Sequence, residues 1–294
     1  MNWQKGLKLK KVRLKEPLKK HTTFKIGGPA EYFVRPKGAA ELKVLIKAAK
    51  RYKIPVLVIG AGSNILAGDK GVGGLVIQLN SSYFKKIRVK GNSVHAGSGV
   101  MLSKLIITSR NFGLSGLENL AGIPGTVGGA LAMNAGAWGK NIEDTLKEVW
   151  VMDYSGRIRV LKKKNIEFGY RKSDLGKYII LEARFGLGKG DGLNIRSRIR
   201  EYLKQRRSAQ DLTRPSAGCV FKNPTGKSAG KLIDECGLKG KRVGGAAISG
   251  KHANFIVNLG NAKSADVIDL IKLIKNKVRA KFHINLEPEI KIWG

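Results

Sequence analysis

The most informative segment of this chain is Gly122-Ile-Pro-Gly-Thr-Val-Gly-Gly129, with Met133-Asn-Ala-Gly-Ala-Trp138 shortly after it. From Gly113 to Gly139 the chain carries eight glycines in 27 residues, which is far more than turns require. Small residues at this density bring the backbone close to a partner, in a place where a protein core would hold bulky side chains. The pattern favours a loop region that binds a flat cofactor carrying a pyrophosphate.

A second glycine-rich loop, Gly60-Ala-Gly-Ser-Asn64, lies upstream, directly after the apolar run Val56 to Ile59. Its backbone N–H groups can turn toward a diphosphate, and Ser63 and Asn64 can add side-chain hydrogen bonds. The loop is neither G-x-G-x-x-G nor a P-loop ending in Gly-Lys-Ser/Thr, so it indicates neither the dinucleotide fingerprint nor phosphoryl transfer. A tight turn after a strand is the alternative explanation for this loop taken alone.

The composition is strongly basic and still typical of a globular protein. The 294 residues include 56 Lys plus Arg against 21 Asp plus Glu, a formal net charge of +35, and 42% are hydrophobic. This apolar content suffices for one large or two ordinary domains and excludes a disordered tail. The charge indicates an anionic partner, which composition leaves open among nucleic acid, a membrane surface and small phosphorylated molecules.

Location and metal content follow from what the sequence lacks. No apolar run approaches the roughly 18 residues of a membrane span, and the basic segment Met1 to Lys11 precedes no apolar stretch. We therefore expect a cytoplasmic protein without a membrane partner. Its two cysteines, Cys219 and Cys236, make neither a disulfide framework nor a metal-ligand cluster, so we expect no metal.

Hydrophobic periodicity predicts an α+β chain in two parts. The boundary lies at Gly186 to Gly192, where four of seven residues are glycine. Before it we predict helices at 39–53 and 100–112, strands at 56–59, 71–79, 87–95 and 178–187, and a hairpin at 146–161. After it we predict a basic amphipathic helix, a loop at 208–227, helices at 228–236 and 264–282, and strands at 243–248, 254–259 and 284–293.

Six segments resemble, in order, those of the UDP-N-acetylenolpyruvoylglucosamine reductase family, and they span residues 21 to 289. They are His21-Thr-Thr-Phe-Lys-Ile-Gly-Gly-Pro-Ala30, Val58-Ile-Gly-Ala-Gly-Ser-Asn-Ile65, Leu120-Ala-Gly-Ile-Pro-Gly-Thr-Val-Gly-Gly129, Gly169-Tyr-Arg-Lys-Ser173, Ser216-Ala-Gly-Cys-Val-Phe-Lys-Asn-Pro224 and Leu286-Glu-Pro-Glu289. Such a combination is far more specific than any single loop.

The resemblance implies a flavoenzyme of peptidoglycan precursor synthesis. Its implied fold is α+β, with an FAD-binding domain of the vanillyl-alcohol-oxidase (PCMH) type at 1–188, in lobes of about 1–80 and 81–188. A substrate-binding domain at 193–294 follows. NADPH would reduce FAD, and the reduced flavin would then reduce the enolpyruvyl ether of UDP-N-acetylglucosamine-enolpyruvate to UDP-N-acetylmuramate. We expect a monomer whose partner is this UDP-sugar and not nucleic acid.

The resemblance also implies which residues bind. Residues of the two glycine-rich loops are expected to bind FAD, and three residues are expected to bind the substrate. The FAD set is Gly60, Ala61, Gly62, Ser63, Asn64, Gly122, Ile123, Pro124, Gly125, Thr126, Gly128, Gly129, Asn134 and Gly136. The substrate set is Tyr170, Lys222 and Asn223.

Three residues are expected to be catalytic. Hydride transfer to the enolpyruvyl group leaves negative charge, so the site needs a stabilising cation and a proton donor. Arg171 matches the family's arginine, whose guanidinium can hold a carboxylate through two parallel bonds that lysine cannot copy. Glu289 matches the acidic residue that assists protonation. Cys219 stands where many members have the serine that delivers the proton, and a thiol is a stronger acid than a hydroxyl.

Several neighbouring residues receive weaker expectations. Ser216 is a poorer donor candidate because it lies three residues from the matching position. We expect Glu287 to form a surface ion pair, and Pro288 to lie at a sheet edge because proline donates no ladder hydrogen bond. Cys236 is expected in the core. The segment Ile248 to Ile256 resembles the family too, and there Lys251 and His252 stay unassigned.

Two further readings remain open from the sequence. Another FAD oxidoreductase of the same fold is disfavoured by the Tyr-Arg, Gly-Cys-Val-Phe-Lys-Asn-Pro and Glu-Pro-Glu segments. A basic nucleic-acid-binding protein is favoured only by net charge, because aromatic residues are 7% of the chain and do not cluster with basic ones. The chain also lacks room for a loop that some members insert after Tyr-Arg, so it resembles the shorter subtype.

Overall fold

The computed structural model describes residues 12–294, so the basic segment at 1–11 lies outside the described residues. These residues form two compact units. Unit 1 comprises residues 12–14, Tyr32–Ala61 and Gly74–Gln205; unit 2 comprises Lys15–Glu31, Gly62–Gly73 and Arg206–Gly294. The two units are therefore not separated at a single point in the sequence, because Lys15–Glu31 and Gly62–Gly73 belong to unit 2 although segments of unit 1 precede and follow them. The expected binding domains at 1–188 and 193–294 concern function and stay a prediction.

Residues 12–294 contain six α-helices and 21 short strands. The helices are α1 (Ala39–Arg51), α2 (Leu102–Asn111), α3 (Val127–Ala132), α4 (Gly192–Ala209), α5 (Ala229–Glu235) and α6 (Ser264–Phe282). The strands are β1 (Arg13–Pro17), β2 (Pro29–Val34), β3 (Val56–Ile59), β4 (Ile65–Ala67), β5 (Val72–Gln78), β6 (Ile87–Lys90), β7 (Ser93–Gly97), β8 (Leu114–Ser115), β9 (Gly136–Ala137), β10 (Lys140–Asn141), β11 (Leu146–Met152), β12 (Ile158–Lys162), β13 (Phe168–Gly169), β14 (Lys172–Ser173), β15 (Ile179–Gly186), β16 (Gly188–Lys189), β17 (Ser216–Cys219), β18 (Arg242–Val243), β19 (Ala246–Ile248), β20 (Phe255–Asn258) and β21 (Lys291–Trp293).

Unit 1 is organised around a five-stranded antiparallel sheet of order β12-β11-β15-β7-β6. Its inward residues, such as Val149, Val151 and Phe185, form a buried cluster with α2 and α3. On α1, Leu42, Leu45, Ile46 and Ala49 recur at helical spacing and are buried in a second cluster. Strand β3 pairs in parallel with β5, with Val56 opposite Leu75 and Ile59 opposite Gln78.

Unit 2 holds an antiparallel sheet of order β17-β20-β19-β18, covered by α5 and α6. Helix α6 buries an apolar stripe that includes Val267, Leu270 and Ile274. Its first turn is capped from outside, since the Asp69 carboxylate accepts the N–H groups of Ser264 at 2.7 Å and Ala265 at 3.1 Å. Burial by itself would raise the pKa of Asp69, but these hydrogen bonds outweigh it and the pKa is lowered.

The structure corrects four predicted elements. The strand expected at 87–95 is the hairpin β6–β7, and the one at 243–248 is the hairpin β18–β19, because a two-residue turn interrupts each. The loop expected at 208–227 contains β17. The strand expected at 284–293 is reduced to β21, since the preceding segment makes only an isolated bridge between Phe221 and Pro288. The other predicted helices and strands are confirmed to within a few residues.

Candidate active site

The first glycine-rich loop begins where β3 ends. The carbonyl of Gly60 accepts a hydrogen bond from the Gln78 side chain at 3.0 Å. A Cβ at Gly60 would lie 2.5 Å from Thr126 Oγ1, too close for any side chain. Within unit 1, glycine at position 60 therefore lets the first loop contact the second.

The rest of this loop, from Gly62 to Asn64, belongs to unit 2 and is fixed there by hydrogen bonds. The Gly62 carbonyl accepts the Thr23 N–H at 3.1 Å. The Asn64 amide nitrogen donates to the Glu289 carbonyl at 3.1 Å, and the Asn64 carbonyl accepts the Lys291 N–H at 2.9 Å. Asn64, predicted as a cofactor residue, therefore also holds the backbone of Glu289.

The second loop leads into α3. Thr126 caps this helix, because its hydroxyl oxygen accepts the Gly129 N–H at 3.3 Å. The Gly125 carbonyl accepts the Leu102 N–H at 3.0 Å, and the Gly128 N–H donates to the Ser98 carbonyl at 2.9 Å. Ser98 is a candidate that sequence reasoning missed; the signal available was its position between two glycines, directly after β7.

The second loop and the residues beside it in unit 1 fit a flat, phosphate-bearing cofactor. Gly122, Pro124 and Gly129 are exposed, and their neighbours Ala121, Gly125 and Ala130 are small. Two buried polar atoms, Ser98 Oγ and Asn134 Oδ1, have no hydrogen-bond partner among residues 12–294. A bound molecule with hydroxyl and phosphate groups would offer such partners, because buried polar groups are normally hydrogen-bonded.

Gly136 has a different explanation from the other predicted cofactor glycines. A Cβ there would lie 2.0 Å from Asn141 Oδ1. Position 136 pairs with Asn141 in the small hairpin β9–β10, so that hairpin already requires a residue without a side chain. A role of Gly136 in cofactor binding stays a prediction.

Arg171 and Tyr170 form the two-residue turn between β13 and β14 in unit 1. Arg171 has a φ of +56°, in the left-handed region. Its guanidinium carbon lies 5.2 Å from the centre of the Tyr170 ring, a cation–π contact. The half-exposed tyrosine and the arginine thus present an aromatic face and a planar cation together at the tip of a hairpin.

In unit 2, the segment Val220 to Lys222 lies beside the Glu-Pro-Glu segment. The Glu289 N–H donates to the Val220 carbonyl at 2.7 Å, and the Lys222 N–H donates to the Glu287 carbonyl at 2.9 Å. The backbone just after Cys219 is therefore hydrogen-bonded to the segment that carries Glu289. Sequence similarity alone did not show this pairing.

Asn254, which sequence reasoning missed, supports this arrangement from the other side. It is 3% exposed, and its side-chain amide mimics a peptide group. Its Oδ1 accepts the Phe221 N–H at 2.9 Å, and its Nδ2 donates to the Phe221 carbonyl at 2.8 Å. The Asn254 carbonyl also accepts the Val220 N–H at 2.8 Å. The signal available was its place in a segment that resembles the family.

The predicted substrate residues of unit 2 have protein partners. Lys222 Nζ lies 2.5 Å from Glu287 Oε1, so the surface ion pair expected for Glu287 is present. Asn223 Oδ1 accepts the Ala229 N–H at 3.0 Å in the first turn of α5. Substrate binding by Lys222 and Asn223 stays a prediction.

The two cysteines differ in setting. Cys219 is half-buried at the end of β17, next to Gly218, where an irregularity in the β17–β20 pairing changes the register. Cys236 is also only half-buried, so it is not a fully buried core residue, although it packs against the apolar cluster under α5 and α6. Burial raises the pKa of the Cys236 thiol, which keeps it protonated.

Lys251 and His252 have local structural contacts. Lys251 Nζ donates to the Arg207 carbonyl. His252 Nδ1 accepts the Asn254 N–H at 3.2 Å, and burial lowers the pKa of this imidazole, which keeps it a neutral acceptor. His252 thus supports Asn254, and through it Phe221.

Comparison with known proteins gives the same family along nearly the whole chain. Residues 210–293 match the profile of the UDP-N-acetylenolpyruvoylglucosamine reductase C-terminal domain, and residues 30–162 match an FAD binding domain. A UDP-N-acetylenolpyruvoylglucosamine reductase of Alkaliphilus oremlandii is 45% identical over 96% of this chain and 93% of that protein. The chain belongs to the UDP-N-acetylenolpyruvoylglucosamine reductase family. The Clostridioides difficile enzyme of this name is likewise 45% identical over the same shares.

Solved structures agree with this family assignment. The UDP-N-acetylenolpyruvylglucosamine reductase of Thermus caldophilus superposes with a TM-score of 0.84 at 40% identity, covering 97% of this chain and 99% of that one. A glucose oxidase variant of Phl p 4, at 13% identity and a TM-score of 0.53, shares the fold alone, over 75% of this chain and 52% of its own.

The assignment confirms the expected α+β fold with an FAD-binding domain of the PCMH type. It also decides the functional class: this member of the UDP-N-acetylenolpyruvoylglucosamine reductase family is an FAD oxidoreductase, and the nucleic-acid-binding reading is wrong as its main function. Among the described residues, no helix has the length and apolarity needed to cross a membrane. Residues 12–294 contain no group of three or more His, Cys, Asp or Glu side chains that could hold a metal ion.

Proposed function

We propose that the chain catalyses the NADPH-dependent reduction of UDP-N-acetylglucosamine-enolpyruvate to UDP-N-acetylmuramate, in the cytoplasm. The similarity that runs over 96% of the chain to proteins named for this reductase activity carries the proposal. Bound FAD would supply the hydride chemistry between NADPH and the enolpyruvyl group, and residues of the two glycine-rich loops would hold it. Residues 1–188 would bind FAD and residues 193–294 the UDP-sugar.

Arg171 is assigned to the substrate carboxylate. The guanidinium has five N–H donors in a planar fork, which matches the two oxygens of a carboxylate and the charge that develops beside it. Arg171 lies in the two-residue turn between β13 and β14. Tyr170, stacked beside it, limits the orientations of the guanidinium and would line the pocket.

Cys219 is assigned as the proton donor to the enolate carbon, and Glu289 as the residue that assists it. The thiol S–H would donate its proton to the enolate carbon, where a new C–H bond forms, and the cysteine would be left as a thiolate. The backbone that follows the cysteine is fixed by two hydrogen bonds: the Val220 carbonyl accepts the Glu289 N–H, and the Phe221 N–H donates to Asn254 Oδ1. Lys222 and Asn223 would bind oxygens of the sugar diphosphate.

The decisive experiment has two parts. Purified protein should be yellow with a flavin spectrum, and NADPH oxidation should depend on the UDP-linked enolpyruvyl sugar. Protein that takes up FAD but oxidises NADPH without the sugar would point to another FAD oxidoreductase. Protein that takes up no FAD would overturn the proposal.

A further inference from the structure

The turn that carries Arg171 is too small to fix its own direction. Strands β13 and β14 have two residues each, and they pair only through Phe168 with Ser173 and Gly169 with Lys172. An isolated hairpin of this size is not stable in water. The position of the Tyr170-Arg171 turn, and with it the place from which the guanidinium extends, therefore depends on what holds these two strands on unit 1.

Phe168 packs against the apolar cluster of unit 1, and two side chains add hydrogen bonds that connect the hairpin to the region of α3. The Ser173 hydroxyl donates to the carbonyls of Leu131 at 2.9 Å and Ala132 at 3.1 Å. The Asn134 amide nitrogen donates to the Gly169 carbonyl at 3.2 Å. Gly169 directly precedes the Tyr170-Arg171 turn, so the bond from Asn134 acts one residue away from it.

The burial, backbone conformation and side-chain hydrogen bonds of Asn134 suit this contact. It is 2% exposed, and its φ of +43° places it in the left-handed region, which asparagine tolerates better than most residues. Its second amide hydrogen is directed at the Glu143 carboxylate, with Nδ2 and Oε1 2.7 Å apart. The charged acceptor fixes the amide orientation, so the nitrogen and not the oxygen faces Gly169.

We propose that Asn134 is a positioning residue for Arg171, acting through the Gly169 carbonyl, with Glu143 holding its amide in place. The inference rests on the proposed function of Arg171. It changes the role of Asn134, which the sequence predicts as a cofactor residue. Helix α3 begins in the second glycine-rich loop, and the carbonyls at its end accept the Ser173 hydroxyl. The same short helix therefore contacts both that loop and the hairpin that carries Arg171.

Asn134→Asp separates the two roles. Aspartate keeps the size, tolerates the positive φ and keeps the Oδ1 atom that would face a cofactor. It replaces the amide donor with an anionic oxygen beside the Glu143 carboxylate and the Gly169 carbonyl, so both attachments become repulsive. A cofactor ligand acting through Oδ1 would survive this change, whereas a positioning residue acting through Nδ2 would not.

Four measurements are needed on the FAD-loaded full chain and on apoprotein. We expect the FAD Kd of Asn134→Asp to stay within about threefold of wild type and its flavin reduction by NADPH to stay within about twofold. We expect reoxidation of the reduced flavin by the enolpyruvyl substrate to slow at least about tenfold, as expected for a lost charged hydrogen bond. Hydrogen exchange of the 168–173 amides should become faster.

Three further variants make the result specific. In an Arg171→Ala background, adding Asn134→Asp should change reoxidation less than about twofold, because the two residues act in one chain of contacts. Asn134→Gly accepts the positive φ without strain but removes both Oδ1 and Nδ2, so if the aspartate variant does not fold it is read by hydrogen exchange of the 168–173 amides in apoprotein, where loss of a cofactor contact has no effect. Asn165→Asp, an exposed substitution of the same kind between β12 and β13, is the matched control and should behave as wild type.

The outcomes are distinct. A tenfold weaker FAD Kd with normal reoxidation would show that Asn134 is a cofactor ligand and overturn the proposal. Equal slowing in the Arg171→Ala background, or unchanged hydrogen exchange at 168–173, would overturn it too. Wild-type flavin that the enolpyruvyl sugar does not reoxidise would overturn the proposed function instead, and hydrogen exchange would still report on whether Asn134 holds the turn.

Discussion

At Arg171 the geometry of the cation matters more than its charge. Lysine at this position would keep the positive charge and the same positive φ, yet it would lose the planar fork. We expect Arg171→Lys to slow reoxidation of the reduced flavin by the substrate about 10- to 100-fold, which corresponds to about 1.5–3 kcal/mol for a hydrogen bond to a charged group. Stopped-flow absorbance of the flavin measures this step.

The matched control is Arg159→Lys, an exposed arginine on β12 whose guanidinium lies 3.5 Å from Asp153. It should leave the reoxidation rate unchanged. If Arg171→Lys also reoxidised at the wild-type rate, a positive charge alone would be sufficient and the bidentate role of Arg171 would be wrong.

The two cysteines allow a paired test of the proton donor. Cys219→Ala removes the S–H group and should slow reoxidation by about 10²- to 10⁴-fold, the usual contribution of a general acid. Cys219→Ser keeps an O–H donor and should lose much less. Cys236→Ala, which changes a thiol that packs under α5 and α6, should stay within about twofold of wild type. Normal turnover by Cys219→Ala would exclude this thiol as the donor.

Among the elements, α4 combines a basic surface with one specific attachment. The sequence predicts a basic amphipathic helix here, and arginines such as Arg196, Arg200 and Arg207 are exposed, whereas Arg198 makes a specific ion pair. Its Nη2 lies 3.0 Å from Glu118 Oε1, an ion pair without the alignment of a hydrogen bond, and the Glu118 side chain is only 8% exposed. The other Glu118 oxygen accepts the Gly116 N–H at 2.7 Å.

Removing this cation should destabilise unit 1. Arg198→Ala leaves the buried Glu118 carboxylate without its counter-ion, and we expect the free energy of unfolding to fall by about 1 kcal/mol, since one partner remains solvated. Urea unfolding followed by circular dichroism measures the change. Arg196→Ala, an exposed arginine two residues earlier on the same helix, is the control. An equal loss in both variants would show that the ion pair contributes nothing.

The turn between β11 and β12 depends on Asp153. The Ser155 hydroxyl and N–H and the Arg157 N–H donate to its carboxylate, and the hydroxyl above all lowers its pKa from 3.8 to about 2. A lowered pKa stabilises the fold above pH 3.8 and loses this effect as the pH falls toward 2. Asp153→Asn should therefore be less stable than wild type at pH 7.

The difference in stability between wild type and Asp153→Asn should narrow between about pH 4 and pH 2, the range set by the shifted pKa. Thermal unfolding of both proteins across this range checks it. Asp269→Asn, at an exposed ion pair on α6, serves as the control. A constant difference down to pH 2 would mean that the charge of Asp153 does not stabilise the turn.

Local signals predicted the long elements well. Helix α6 was predicted with its observed bounds, because its apolar stripe repeats at helical spacing and Ser264 marks its start. Two short hairpins were wrongly predicted as single strands. Their turns, Gly91-Asn92 and Gly244-Gly245, interrupt segments whose composition is otherwise typical of one strand. The predicted strand at 284–293 was too long at its N-terminal end. The residues before β21 form only an isolated bridge, between Pro288 and Phe221, which no local sequence pattern predicts.

The candidate site was predictable only where a motif names the residue. Arg171, Cys219 and Glu289 follow from the resemblance, and their roles stay predictions. The contacts of Asn134 and Asn254 could not be predicted from sequence, because these side chains bond to backbone carbonyls and N–H groups of residues 33 to 35 positions away. Such contacts depend on the fold and not on local spacing.

For the whole molecule, the net charge of +35 should affect how quickly anionic ligands arrive. A UDP-sugar with a carboxylate would be attracted by this field, and salt screens the attraction over about 10 Å at 0.1 M. We expect kcat/KM to fall as NaCl rises from about 20 to about 500 mM, while kcat stays nearly constant. Steady-state kinetics at each salt concentration test this. A kcat/KM that did not fall would leave the surplus charge without a kinetic role.

The predicted monomer belongs to the same scale. Size-exclusion chromatography with light scattering should give a mass near 32 kDa for the 294-residue chain. A mass near twice this value would show that the protein is a dimer.

The most direct test of the reductase assignment is NADPH oxidation by the purified, FAD-loaded chain in the presence and absence of UDP-N-acetylglucosamine-enolpyruvate. The proposal predicts oxidation that requires the sugar, with one UDP-N-acetylmuramate formed per NADPH consumed. Oxidation that is independent of the sugar, or consumption of NADPH without this product, would contradict it.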